Sequence, residues 1–297
     1  MSVLRITDFP IGFRGYTFNA HRTAAGAYSP AAEKDTTVVQ QLDISPIQLR
    51  DQREALHGAV GGDFGTANEI FRFITLVGKI KASTGEKFED AIAKISRVGS
   101  VSEALLDYPS TMGASALDFY SPTEVAATGI ASPVREKFMV RPAGPMAWLE
   151  RSHEGLTALF SLPLVAADPR RLLYTATTVT FSSGAGWTQA LPNWTTTMGM
   201  KVYPVITVVL SGAGHASMTF SDGTTSLVCD FSAETAGTFT IDMATQLITK
   251  GTTKKAYIRT SDVNSYWGIP AGGVAAAAVT NRTNVSSVTF TYHQARA

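Results

Sequence analysis

The sequence predicts an α+β domain over residues 1–169 followed by an all-β sandwich over 170–297. Three observations carry that division. Only 13 of the 49 charged residues fall in 171–297, from Arg171 to Arg296. An alternating apolar strand runs into Ala166-Ala-Asp-Pro169, a stiff corner. Beyond it the chain becomes a succession of short Thr-, Val- and Gly-rich segments.

The first 60 residues alternate short strand signals with turn chemistry. Val38–Ile44 reads as a strand ended by Ser45-Pro46, and the glycine-rich 56–65 segment reads as a loop. The strongest strand of the first half is 69–80. Phe71, Phe73, Thr75 and Val77 share one face, and Ile70, Arg72, Ile74 and Leu76 the other. Both faces are largely apolar, which predicts a strand interior on both sides.

One helix is well marked. Ser83-Thr-Gly-Glu86 has the spacing of a capping box with Ser83 at the cap. Phe88, Ile92 and Ile95 follow as a single apolar stripe, so the helix lies against a sheet. Gly99 is placed to end it in a left-handed conformation. A second helical stretch over 101–107 stops before Pro109. Residues 109–145, with Pro122, Pro133, Pro142 and Pro145, read as loop around a short strand at 138–140. The last strand of this half places Leu156, Ala158, Phe160, Leu162 and Leu164 on one face. Pro163 points to a sheet edge or a bulge at its far end.

The second half carries eight strand signals: 174–181, 202–210, 216–220, 226–231, 237–241, 246–249, 254–260 and 287–292. Turn signals such as Asp222-Gly223 and Lys250-Gly251 separate them. Short strands at roughly 8–12-residue spacing mark a β-sandwich or jelly roll.

Composition excludes several function classes. The formal net charge is +1, so neither half is basic enough to grip nucleic acid. Cys229 is the sole cysteine, which excludes an intrachain disulfide and a cysteine-built zinc site, and its apolar neighbours predict a buried thiol. The five histidines (His21, His57, His153, His215, His293) show no metal-ligand spacing. Gly61–Gly65 and Ser211–Gly214 lack the Lys-Ser/Thr of a phosphate loop. No catalytic residues, cofactor or metal are expected. The N-terminus has no basic-then-apolar run, so no secretory leader is expected. No window approaches the ~18 apolar residues of a membrane span. Trp187, Trp194 and Trp267 could stack on sugar rings, or serve as core and subunit contacts.

The order of these pieces resembles the distal tail (Dit) proteins of long, flexible-tailed bacteriophages. The residues that carry the resemblance are the 72–80 strand after a glycine-rich loop, the amphipathic helix, and the strand ending Phe160-Ser-Leu-Pro-Leu-Val-Ala-Ala-Asp-Pro169. Tyr203–Val208, Phe239–Asp242, Asp262–Trp267, a Pro-Ala-Gly-Gly segment at 270–273 and Val288–Tyr292 follow in the second half. The likeness covers the chain from about residue 50 onward. In place of the family's usual Pro-Gly-x-Asn turn, Pro270-Ala-Gly-Gly leads into an alanine run, 275–278. The first 45 residues are also longer than in the family.

The resemblance implies a ring-forming first domain, or belt, and a galectin-like sandwich projecting from it. Such a protein is a hexameric adaptor at the distal tip of the virion tail, made in the host cytoplasm. It joins the tail tube protein to the hub or tail-associated protein and to receptor-binding or side-fibre proteins. DNA passes through its channel at ejection, and no membrane is involved. Neighbouring belts are expected to meet through the 69–80 strand or the adjacent 50–65 segment, with Arg50, Arg53, His57 and Asp63 as candidate interface residues. The alternative is a carbohydrate-binding host-recognition module, which requires at least two of Trp187, Trp194 and Trp267 exposed on one face. A tail-associated hydrolase has no candidate site.

Overall fold

The computed structural model describes residues 6–22, 35–45, 48–50, 53–54, 63–64, 68–107, 114–121, 134–166, 168, 170–194, 199–262 and 265–296. Among these described residues it is mostly β-sheet with two α-helices, and the chain divides into two compact units, Met1–Arg171 and Leu172–Ala297. Each has its own apolar core.

In the first unit the strands are β1 (Ile11–Phe13), β2 (Tyr16–Phe18), β3 (Thr37–Ile44), β4 (Gln48–Arg50), β5 (Arg53–Glu54), β6 (Asp63–Phe64), β7 (Asn68–Lys81), β8 (Ser115–Ser121), β9 (Val134–Pro142), β10 (Ala147–Ser152) and β11 (Thr157–Ala166). Helices α1 (Gly85–Val98) and α2 (Val101–Asp107) interrupt them after β7. The central order is β9–β11–β7–β3, all antiparallel. β10 also pairs with β11, β4 with β7, and β8 links β9 to β1.

Helix α1 covers one face of this sheet. Phe88, Ile92 and Ile95 join a core with Ile74, Leu76, Ile80, Phe160, Leu162 and Leu164, as the apolar stripe predicts. The expected double burial of β7 does not occur. Arg72, Ile74, Leu76 and Ile80 are buried, but on the other face Phe73 is 48% exposed and Thr75 and Val77 are half-buried. Helix α1 fills only one side, and apolar composition alone does not say what covers the second.

Local corrections have simple causes. The cap of α1 is Thr84, whose side chain accepts from Lys87 N, while Ser83 is drawn away to Asp35. Gly99 ends α1 with right-handed geometry (φ −83°, ψ −3°). Space favours glycine there: a Cβ would sit tightly at 3.0 Å from Met146 Cβ and 3.1 Å from Leu162 Cδ1, and the neighbours would have to give by a few tenths of an ångström.

Pro163 is not at a sheet edge. β11 pairs with β7 throughout, and its other flank passes from β10 (Ser161 opposite Ala147) to β9 (Leu164 opposite Pro142). Pro163 sits at that changeover, its carbonyl accepting from Ala143 N at 2.9 Å. Because N–H and C=O of one residue point to the same side of an antiparallel strand, the missing donor faces the β9–β10 turn and costs no bond to β7.

The 109–145 region, read as loop around a short strand at 138–140, contains β8 and all of β9 among its described residues. Alternate burial of Ser115, Leu117 and Phe119 in β8 was its period-2 signal, obscured by flanking prolines.

The second unit is a sandwich. After β12 (Arg171–Leu173) come β13 (Thr177–Phe181), β14 (Thr188–Leu191), β15 (Gly199–Met200), β16 (Val205–Leu210), β17 (Met218–Ser221), β18 (Ser226–Cys229), β19 (Gly237–Asp242), β20 (Leu247–Lys250), β21 (Thr253–Lys254), β22 (Val274–Thr280), β23 (Val285–Tyr292) and β24 (Ala295–Arg296). One sheet runs β13–β23–β16–β19–β20–β21 and the other β14–β22–β17–β18. Their inward residues, including Phe181, Phe220, Phe239, Trp267 and Phe290, share one core.

The strand expected over 254–260 ends at Lys254, and a 3-10 turn at Ala256–Ile258 replaces it. Conversely, the alanine run belongs to β22, between β14 and β17 in the smaller sheet. Alanine has low strand propensity, yet Ala277 is fully buried there, where packing overrides propensity.

Candidate assembly surface

The most distinctive surface of the first unit is built around α2. Seven residues are too few to hold a helix in water, so tertiary contacts fix it. Arg14, whose side chain is only 3% exposed, supplies them. Its Nη1 donates to the carbonyls of Arg97 (3.0 Å), Val98 (2.8 Å) and Ser100 (3.2 Å), and its Nη2 to Asp107 Oδ2 (2.8 Å). A guanidinium here satisfies orphan carbonyls at the negative end of α1 and ties the end of α2 to the same point.

With α2 held, Ala104 faces inward and fully buried, while Val101 (40%), Leu105 (47%) and Leu106 (74%) remain exposed. Two adjacent leucines on so short a helix cannot both point inward. Together with Phe73, Arg141, Ala143 and Val165, Val101 and Leu105 line a groove of about 290 Å³. Arg141 has no hydrogen bond or ion pair among the described residues. The site is therefore apolar with one unpaired cation at its rim. It can receive an apolar side chain accompanied by a carboxylate, and no described residue near it offers a nucleophile–base pair.

At the sheet margin, β3 is partly capped. Asn19 is fully buried. Its backbone N–H donates to Thr37 O (2.9 Å), its Oδ1 accepts from Val39 N (2.7 Å), and its Nδ2 donates to Thr7 O and Phe9 O. The start of β3 is tied to α1 through Asp35, which accepts from Lys87 Nζ (2.6 Å) and from Ser83 N and Oγ. Those hydrogen bonds, Lys87's foremost, hold the Asp35 carboxyl down to about 2.

Of the candidate interface residues, three lie in described strands. Arg50 ends β4 opposite Asn68. Arg53 stands in β5 opposite Phe64, and Asp63 in β6 opposite Glu54. His57 lies outside the described residues. The backbone thus brings Arg53 and Asp63 into one hairpin. Among the described residues, those that line the groove come from β7, α2, β9 with the adjoining Ala143, and β11. The one signal in sequence was the Leu105-Leu106 pair.

The three tryptophans differ in their surroundings. Trp267 is 3% exposed, stacks on Phe290 (5.9 Å between ring centres) and donates Nε1–H to Phe220 O at 3.1 Å. Trp187 and Trp194 are half-buried, with Arg282 and Arg296 over their rings at 4.9 and 5.1 Å. Of the three, Trp267 is therefore a core residue.

Cys229 is fully buried, and burial pushes its thiol up to about 12. Among the described residues no group of three or more His, Cys, Asp or Glu side chains is placed to hold a metal ion. No described helix is long and apolar enough to cross a membrane.

No family model and no curated protein matches this sequence. Solved structures do. SPP1 Dit (gp 19.1), described as a paradigm of the hub adsorption apparatus in phages infecting Gram-positive bacteria, aligns with a TM-score of 0.58 at 12% identity, over 96% of this chain and 98% of that one. Chains of the phage P2 baseplate in its activated conformation align at 11% identity. With Ca the TM-score is 0.44, over 87% of this chain and 90% of that one. With Sr it is 0.46, over 96% and 97%. Across both units, this chain has the fold of the phage distal tail protein SPP1 Dit.

Proposed function

We propose that this chain is a structural, non-enzymatic distal tail protein of a phage tail tip. In this reading residues 1–169 form the belt, and six copies close into a ring. Residues 170–297 form the galectin-like, jelly-roll sandwich carried by it. The ring joins the tail tube to the hub or tail-associated protein and to receptor-binding proteins, and DNA crosses its channel at ejection.

The fold shared with SPP1 Dit over nearly the full length of both chains is the observation that carries the proposal. The exposed apolar side chains of the first unit support it, because contiguous apolar surface on a folded domain marks contact with another protein. A head-to-tail contact closes into a ring where its rotation allows. A formal net charge of +1 suits a conduit, since phosphate-gripping charge would retard transit.

Light scattering and electron microscopy of the purified protein, alone and with tail tube protein, test the reading. Six-membered annuli that stack on the tube are expected. A protein that stays monomeric at high concentration and forms no ring with the tube overturns it.

A further inference from the structure

The groove at α2 leaves one question: what supplies the apolar side chain and the carboxylate that it suits. Arg141 stands at its rim without a partner among the described residues, and Phe73, Val101 and Leu105 are all at least 40% exposed. Among the described residues of the first unit, one further large apolar side chain is exposed away from α2 and β7. It is Leu149, at 56%. It sits where the β10–β11 register slips between Trp148 and Glu150. A slip of this kind re-aims a side chain: Trp148 remains against Phe160 in the core, and Leu149 turns out to solvent. The next residue, Glu150, is exposed and also has no hydrogen bond or ion pair among the described residues. Leu149-Glu150 is thus an apolar knob with a carboxylate beside it.

The two features cannot meet within one copy. Arg141 pairs with Val165 and Glu150 with Leu159, both on β11. Six residues of strand separate these positions, about 20 Å at roughly 3.4 Å per residue. Both side chains lie on the sheet face away from α1, because the alternate residues of β11 (Ala158, Phe160, Leu162, Leu164) fill the core. Only a second molecule can bring the complementary charges together.

We infer that the Phe73–Leu105–Arg141 groove of one copy receives Leu149-Glu150 of a second copy, with Arg141 pairing Glu150 across the contact. The inference rests on the proposed self-assembly and names the surfaces that perform it. Leu149 supplies burial at the centre, and the charged pair at the rim fixes register and excludes wrong pairings.

Sedimentation of the full chain tests it with R141E, E150R and their combination. Each single variant places like charges at every contact, and association weakens about tenfold or more. The double variant regains association, as does an equimolar mixture of the two single variants, because alternating copies again present opposite charges. Thermal melts matching wild type show that the variants fold. Leu149→Ser weakens association with both charges in place.

Single variants that assemble like wild type overturn the inference and leave the ring intact as a reading. So does a double variant that stays dissociated, or groove substitutions that abolish binding to tube protein while self-association persists. A wild-type chain that remains monomeric at all concentrations overturns the inference and the ring together.

Discussion

The two units dispose of their large apolar side chains differently. Among the described residues, those left exposed in the first unit are Phe73, Val101, Leu105, Leu106 and Leu149, none of which carries a polar atom. In the second unit they are Tyr174, Tyr203 and Tyr257, each with a hydroxyl suited to water. The outer flank of β18 is also closed: Thr260 N donates to Val228 O, and Val228 N donates to Ser261 Oγ. Among the described residues the sandwich leaves only tyrosines exposed, whereas the first unit leaves wholly apolar side chains in the open. The open, wholly apolar side chains thus lie in the first unit, although the two units are equally apolar in sequence and differ chiefly in charge.

The largest expected effect probes the self-sufficiency of the sandwich. Trp267→Ala removes a buried indole and leaves Phe220 O without its donor, so the second unit loses about 3–5 kcal/mol. Urea denaturation reads this, with Cys229 as the reporter. The thiol resists Ellman's reagent at pH 8 in the native protein and reacts as the sandwich opens. If Cys229 reacts at wild-type rates in the variant, the indole is not holding the core.

Next in size is a test of close packing in the first unit. A Cβ at Gly78 would lie 2.4 Å from Phe160 Cζ, so Gly78→Ala destabilises by about 1–3 kcal/mol through overpacking. Adding Phe160→Leu recovers part of the loss. Additive losses in the double variant would show that the contact is not the cause.

Smaller still is the helix cap. Thr84→Ala costs about 1 kcal/mol, read from denaturant midpoints. Ser83→Ala acts instead through Asp35. The folded Asp35 carboxyl titrates below its unfolded value, so its contribution is complete above about pH 4 and is lost as pH falls toward 2. Asp35→Asn flattens that part of the melting-temperature profile in acid. A profile identical to wild type would rule out the Asp35–Lys87–Ser83 link.

The smallest stability effect sharpens the comparison most. Leu106→Ser, on a side chain 74% exposed, should change stability by less than about 0.5 kcal/mol. A loss of several kcal/mol would mean that α2 is ordinary core.

Much of the fold was legible because burial on one side leaves a period. The stripe Phe88–Ile92–Ile95 and the alternation of β11 needed no partner to be read. So did the turn-punctuated strands of the sandwich. The groove was not legible: Phe73, Leu105 and Arg141 are more than 30 residues apart in sequence and meet only through sheet pairing and the Arg14 clamp. Arg50, Arg53, His57 and Asp63, by contrast, fall within one local segment of the chain.

Sequence by itself determined which residues lie inside each element, because one-sided burial writes its period into the chain. Tertiary structure alone decided which apolar faces stay open. Burial of Ala277 in β22, exposure of Phe73 on β7 and the place of Pro163 within the sheet each depend on a neighbour brought from far along the chain. A residue's own chemistry sets its preference for water or core, but the packing of distant elements settles whether that preference is met.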